Sequence, residues 1–216
     1  HWVDLFYNYY RSKPVSLTSV GQKKRLVRDN IDAYDAVQVR VGFDNGMSIY
    51  FHNNWITPDD FEGPVNQGHE IVGTDGKVES DQQYRGLRFW WNGGGSRTVN
   101  NHMTRDVKRP DDSQVYIGYG VDSITVGLVA ACRIKFLGET LEAVNDIFPT
   151  PEDGRITVAI VHAARLVRDL NFKYMEEGKG APVTARFGDD GVTIVDPNRI
   201  SEGPDSVFEK IYDRPL

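Results

Sequence analysis

A chain of 216 residues is long enough to bury one substantial core and short for two ordinary domains, so a single domain spanning residues 1–216 is the expectation. Its hydrophobic fraction of 39% excludes a disordered chain, and a net charge of −6 excludes the positive surface on which binding to a phosphate backbone normally rests. No apolar run reaches the ~18–20 residues that span a bilayer, no secretory pattern opens the chain, and the lone Cys132 excludes an intrachain disulfide, so a cytoplasmic protein without nucleic-acid or membrane partners is expected.

The opening residues His1 to Arg11 set Trp2, Leu5, Phe6 and Tyr9 at helical spacing, and Ser12-Lys13-Pro14 stops the helix because proline cannot continue it. From Val15 the period changes to two. Val15–Val20, Tyr34–Phe43 and Met47–Trp55 read as strands, the last two joined by an Asp44-Asn45-Gly46 hairpin turn. The basic cluster Lys23, Lys24, Arg25 and Arg28 between them reads as a solvated loop. Further strands are expected at His69–Gly73 and Lys77–Asp81, around a Thr74-Asp75-Gly76 turn whose Asp-Gly pair tolerates positive φ. Gly86–Trp91 and Arg97–Val107 follow, with Asn92 to Ser96 as a flexible turn.

Two helices come next. Ser123–Gly138 is apolar around most of its circumference, as for a helix pressed between a sheet and another element, and Cys132 within it reads as a small core residue. The second begins at Thr150-Pro151-Glu152-Asp153 and runs to about Glu177. Ile156, Ala159, Ile160, Ala163, Val167 and Leu170 form its buried stripe, and Arg155, His162, Arg165 and Asp169 lie opposite. Pro182–Phe187 and Val192–Val195 add late strands, and Gly203–Leu216 reads as an extended arm. Strands followed by helices make an α+β fold, an open, mostly antiparallel sheet with helices on one face. The other face, expected to carry Tyr50, Phe89, Trp90 and Trp91, needs a cover, for which a second subunit is the simplest answer.

The order of these pieces carries a resemblance. His1-Trp2-Val3-Asp4 on a short helix, antiparallel strands, the hairpin from His69 to Glu79, and a helix entered through Thr150-Pro-Glu-Asp-Gly154 together resemble the C-terminal domain of the glucose-fructose oxidoreductase / inositol dehydrogenase / MocA family, over roughly His1 to Pro182. In that family an Asp-x-x-x-His-x-x-Asp pattern opens the domain. His1 to Asp4 looks like its latter half, which implies that His1 moves the substrate hydroxyl proton; a residue left from processing or simple helix starting is the other reading of His1. The resemblance also points to Tyr119, just before the first long helix, as an aromatic lining of a sugar or inositol pocket, with packing as its alternative.

His52, Asn53, Asn54 and Trp55 alternate between the two sides of a strand, and His52 and Asn54 are further candidates for contact with substrate, against ordinary sheet or interface packing. The remaining histidines lack metal-ligand spacing, so no metal is expected. Gly118-Tyr-Gly120 and Gly93-Gly94-Gly95 both lack the context of a dinucleotide loop. The resemblance therefore implies a substrate-binding and oligomerisation domain whose NAD or NADP is held by an N-terminal Rossmann domain absent from these residues. It further implies a polyol or sugar substrate, a homo-oligomer formed through the sheet, and no cofactor on this chain alone. The rival expectation is a non-catalytic module for dimerisation or carbohydrate binding.

Overall fold

The computed structural model describes residues 1–58, 66–81, 86–99, 104–108, 110–118, 120–145 and 151–214. In chain order the elements are α1 (Trp2–Tyr10), β1 (Pro14–Gln22), the single turn α2 (Arg25–Arg28), β2 (Ala36–Phe43) and β3 (Ser48–Asn54). Six more strands follow: β4 (Gly68–Val72), β5 (Gly76–Asp81), β6 (Gly86–Trp91), β7 (Gly95–Val99), β8 (Thr104–Lys108) and β9 (Gln114–Gly118). Then come α3 (Val121–Leu137), the single turn α4 (Leu141–Val144) and α5 (Pro151–Glu176). The chain closes with β10 (Thr184–Gly188), β11 (Gly191–Val195), two short 3-10 helices, and β12 (Phe208–Tyr212). Two compact units result, one from His1–Pro58 with Pro149–Leu216, the other from Asp59–Phe148.

The first unit is a six-stranded antiparallel sheet in the order β12-β11-β10-β1-β2-β3, with α1 and α5 on one face. This is the open α+β arrangement expected from the sequence. Register between β2 and β3 comes from the Asp44-Asn45-Gly46 turn. Gly46 takes φ 82°, Phe43 N–H reaches Met47 O at 2.9 Å, and pairing then runs from Gly42↔Ser48 to Ala36↔Asn54. Ile156, Ala159, Ile160, Ala163 and Val167 of α5 are buried against Leu17, Val41, Ala185, Val192 and Ile194 of the sheet. Where β1 and β10 part, Asn171 of α5 ties them together. Its side-chain NH₂ donates to Ser19 O (2.9 Å) and Val183 O (3.1 Å), and its amide oxygen accepts from Val183 N–H (2.8 Å).

Local chemistry departs from expectation in three places of this unit. The basic cluster contains α2, whose first backbone N–H groups all point at Asp35: those of Lys24 and Arg25 at 2.6 and 2.7 Å and that of Leu26 at 2.8 Å. The cluster is thus held by a buried carboxylate rather than left as a solvated loop. Asp169 is not simply on the outer face of α5, since its carboxylate accepts the Tyr34 hydroxyl proton at 2.8 Å. The C-terminal residues form the 3-10 helices Pro197–Glu202 and Pro204–Val207 and then β12, an edge strand on β11. Asp196 organises that turn, accepting from the Asn198 N–H at 3.0 Å and from the buried Tyr174 hydroxyl at 2.6 Å.

The second unit contains a four-stranded antiparallel sheet, β4-β5-β6-β7, and a separate hairpin, β8-β9. The run Arg97–Val107, expected as one strand, therefore belongs to two sheets. Phe89, Trp90 and Trp91 are consequently on a different sheet from Tyr50, so no single aromatic face unites them. At the Thr74-Asp75-Gly76 turn, Gly76 has no positive φ; glycine is needed there because a Cβ would stand 2.4 Å from the Trp90 carbonyl oxygen. In α3 the expected burial is missing. Ile124, Leu128 and Phe136 are 67%, 64% and 72% exposed, and Cys132 is exposed.

Candidate functional site

The site begins at the N-terminus of α1. His1 is exposed and is the residue that precedes the helix, its carbonyl accepting the Leu5 N–H at 2.9 Å. One turn on, the Asp4 carboxylate lies in the first turn, where the helix dipole favours negative charge, and accepts the Thr157 hydroxyl of α5 at 3.3 Å. Below them Phe6 is buried, meeting Phe51 of β3 edge-on with ring centroids 6.1 Å apart, and Val3 and Tyr7 pack on the core. The apolar side of α1 thus fixes its rotation and leaves His1 and Asp4 on the exposed side. An imidazole is a side chain that can take up and release a proton as a general acid or base.

The other sequence candidates do not gather there. Phe51 faces the helices, so His52 and Asn54, one and three positions further along β3, project from the opposite face of the sheet, opposite Gln38 and Ala36. His1 and this pair are therefore on two sides of the sheet. Tyr119 lies outside the described residues. Among the described residues, no group of three His, Cys, Asp or Glu side chains could hold a metal ion, and no helix is long and apolar enough to cross a membrane.

A groove that sequence reasoning missed opens on the helix side of the sheet, with a volume of about 620 Å³. Leu26, Ala33, Ala36 and Val37 line it together with Asn53, Trp55, Tyr34 and Arg168. Tyr34 is clamped: the Arg168 guanidinium lies 4.1 Å over its ring, Lys23 Nζ is 4.8 Å from the ring centre, and Phe172 meets it edge-on at 5.4 Å. Arg168 Nε and Nη2 donate to Asp169 Oδ1 at 3.0 and 2.8 Å, the same oxygen that takes the Tyr34 hydroxyl. Burial and this bond to a carboxylate push the Tyr34 phenol up to about 12. The signal available was the hairpin register, which from the Gly46 turn brings Asp35 opposite Trp55, whose N–H reaches Asp35 O at 2.9 Å.

The face of the six-stranded sheet away from the helices carries Thr18, Gln38, Arg40, Tyr50, Arg186 and Phe208. Arg40 lies over Tyr50 and Arg186 over Phe208, at 5.6 and 5.9 Å. It is a mixed face rather than the apolar wall expected from the sequence.

No protein-family model matches the chain, and no curated protein sequence matches it. Solved structures do. One is a protein from Thermotoga maritima assigned as an oxidoreductase without a stated substrate: 18% identity, TM-score 0.56, covering 78% of this chain and 42% of that one. Another is the UDP-N-acetylglucosamine 3-dehydrogenase from Acidithiobacillus ferrooxidans: 13% identity, TM-score 0.55, covering 79% and 45%. At these identities the likeness shows a shared fold. The chain spans less than half the length of either protein.

Proposed function

We propose that this chain is the substrate-binding and oligomerisation part of an NAD- or NADP-dependent oxidoreductase acting on the CH–OH group of a sugar, a sugar derivative or an inositol. The observation that carries the reading is the fold shared with a UDP-sugar dehydrogenase of more than twice the aligned length, combined with a histidine exposed at the start of α1. Among the described residues every strand pair is antiparallel, so these residues build no parallel-sheet crevice of the kind that takes a dinucleotide. The nucleotide is accordingly assigned to a Rossmann domain outside residues 1–216. His1 takes the proton released from the substrate hydroxyl as oxidation proceeds, and Asp4 with Thr157 keeps α1 in place beneath it. Tyr119 is assigned to the sugar pocket. His52 and Asn54, on the open face with Tyr50, are assigned to contact with a second copy.

In the parent enzyme His1→Ala is expected to lower kcat by about 10²–10⁴-fold with cofactor affinity nearly unchanged. An unchanged kcat removes His1 from the mechanism. Self-association is tested by sedimentation equilibrium, where Tyr50→Glu weakens the contact because a buried, unpaired carboxylate is costly. A wild-type protein that stays monomeric at tens of micromolar overturns that part.

A second reading, a carbohydrate-binding module, is favoured by one feature: a groove of about 570 Å³ at the hairpin ends, lined by Thr74, Lys77, Trp90, Trp91 and Asn92. Trp91→Ala abolishing sugar binding by the 216-residue chain is the outcome that would select it.

A further inference from the structure

The six-stranded sheet ends in two edge strands that are built differently. β12, at one edge, is five residues long, carries Glu209 and Lys210, and breaks register against β11 between Val192 and Thr193. Charges and a break in register are devices that keep an edge strand from pairing with another chain. β3, at the other edge, has neither. Its seven residues, Ser48 to Asn54, include no carboxylate, lysine, arginine or proline, and its register with β2 runs unbroken from Gly42↔Ser48 to Ala36↔Asn54.

The direction of each backbone group on that edge follows from the hairpin. Phe43 N–H reaches Met47 O and Trp55 N–H reaches Asp35 O, both at 2.9 Å, so the odd-numbered residues of β3 turn their backbone toward β2. Alternation then turns the N–H and C=O groups of Ser48, Tyr50, His52 and Asn54 outward. Among the described residues no further strand takes them, and all of these residues are exposed, Tyr50 at 72%.

Beside this edge lies α1. Its Phe6 meets Phe51 of β3, while Asp4 and Arg11 reach Thr157 and Asp153 of α5. The side of the helix turned from α5 carries Trp2, Leu5 and Tyr9 and faces out past β3. Trp2 and Leu5 are half-buried and Tyr9 is 58% exposed, so an apolar ridge borders the unpaired strand.

We infer that β3 joins the β3 of a second copy, antiparallel about a two-fold axis at Phe51, so that the two six-stranded sheets run on as one. The inference rests on the reading above, that the chain assembles through its sheet, and goes beyond it by naming the edge, the register and the partner. In that register Ser48 stands opposite Asn54 of the second copy and Tyr50 opposite His52 of the second copy, so outward groups meet outward groups, as a self-complementary contact requires. A slip of one residue sets them against groups already bonded to β2, and a slip of two leaves outward groups unpaired at the strand ends. The same axis carries the ridge of α1 toward its own copy. An extended peptide added to β3 would leave that ridge in water, which is why the edge takes a second copy rather than a peptide.

The test uses the parent protein. At concentrations where sedimentation equilibrium shows a dimer, amide exchange at Tyr50 and His52, read residue by residue by mass spectrometry, should be slower by about tenfold or more than in the dilute monomer. Ile49, Phe51 and Asn53, bonded to β2, should be protected in both. Fast exchange at Tyr50 and His52 in a stable dimer overturns this inference and leaves assembly through another part of the sheet standing. A protein that stays monomeric at tens of micromolar overturns both.

Register is read with Ser48→Cys and Asn54→Cys, made separately in a Cys132→Ser background. Mixed, the two variants should form an intermolecular disulfide, because residues paired by hydrogen bonds across an antiparallel ladder lie about 5.5 Å apart at Cα, within reach of that bond. Either variant alone should form none, since its two cysteines would stand about 20 Å apart along the strands. A mixture that forms no disulfide, or single variants that link as readily as the mixture, overturns the inference. Tyr9→Glu should weaken association about tenfold, as for the loss of one interface anchor, and an unchanged association constant overturns the inference.

Discussion

The two units solve the problem of burial differently. In the first, α5 lies across a six-stranded sheet, and Leu17, Val41, Ala163, Val167, Val183 and Val192 are all but sealed from solvent. In the second, the buried apolar side chains among the described residues are Ala130 and Val144, and α3 displays Ile124, Leu128 and Phe136. Its four-stranded sheet has its ladder bonds and ion pairs, Lys77 reaching Glu70 on the neighbouring strand at 2.8 Å and Glu79 on its own strand at 2.7 Å. Those groups are half-exposed, and such pairs contribute little. The difference teaches that strand pairing alone does not make a core: two apolar layers must face each other, and only then does each buried side chain contribute its full share.

The sharpest way to break this comparison is to cut into the first core. Leu17, at the centre of the sheet beneath α5, is 1% exposed, and Leu17→Ala is expected to cost about 2–5 kcal/mol in urea unfolding, the range for a buried leucine whose cavity cannot collapse. A cost below that range would mean that the α5–sheet contact is loose. Next in size is Asp196→Ala, which strands the buried Tyr174 hydroxyl, now held at 2.6 Å, and the Asn198 N–H. The same measurement should show a loss of about 1–3 kcal/mol. The Tyr174 phenol, pushed up to about 12 by its bond to Asp196 and by burial, should titrate lower in that variant, as read by ultraviolet difference absorbance.

A pH series sharpens the first unit further. Backbone bonds to Asp35, from Leu26 first and then from Arg25 and Lys24, hold its carboxyl below the usual range. A depressed folded-state value means the contribution is present above the unfolded value, near ~3.9, and is lost as pH falls through the lower folded one. Asp35→Asn should therefore lower the urea midpoint at neutral pH, with the difference shrinking in acid, and reduce proton uptake on acid unfolding by about one. A constant difference at all pH values would show that the lost cap, not the charge, carries the effect. The smallest effect belongs to the second unit. Leu128→Ser on α3 should change stability by no more than about 0.5 kcal/mol, as for an exposed site. A larger loss would show that α3 is covered in solution.

What the sequence determined by itself was whatever a few neighbouring residues could specify. Pro14 bars a helix from running on into β1, although α1 itself closes earlier, at Tyr10 with Arg11 in a left-handed turn, Gly46 sets the β2–β3 register because its turn needs positive φ, and the stripe from Ile156 to Val167 marks the buried face of α5. The antiparallel α+β character follows from these short-range rules. Tertiary structure alone decided which strands share a sheet. Alternation in Gly86–Trp91 reads the same whether its partner is β3 or β5, and only the pairing of distant segments separates Trp90 and Trp91 from Tyr50. Likewise the apolar circumference of α3 promised burial, but burial requires a facing surface that no local pattern encodes. The candidate site divides in the same way. His1 and Asp4 were legible as neighbours one helical turn apart, whereas the removal of His52 and Asn54 to the other face, and the meeting of Tyr34, Trp55 and Arg168 in one groove, depend on how β3 and α5 pack across more than a hundred residues of chain.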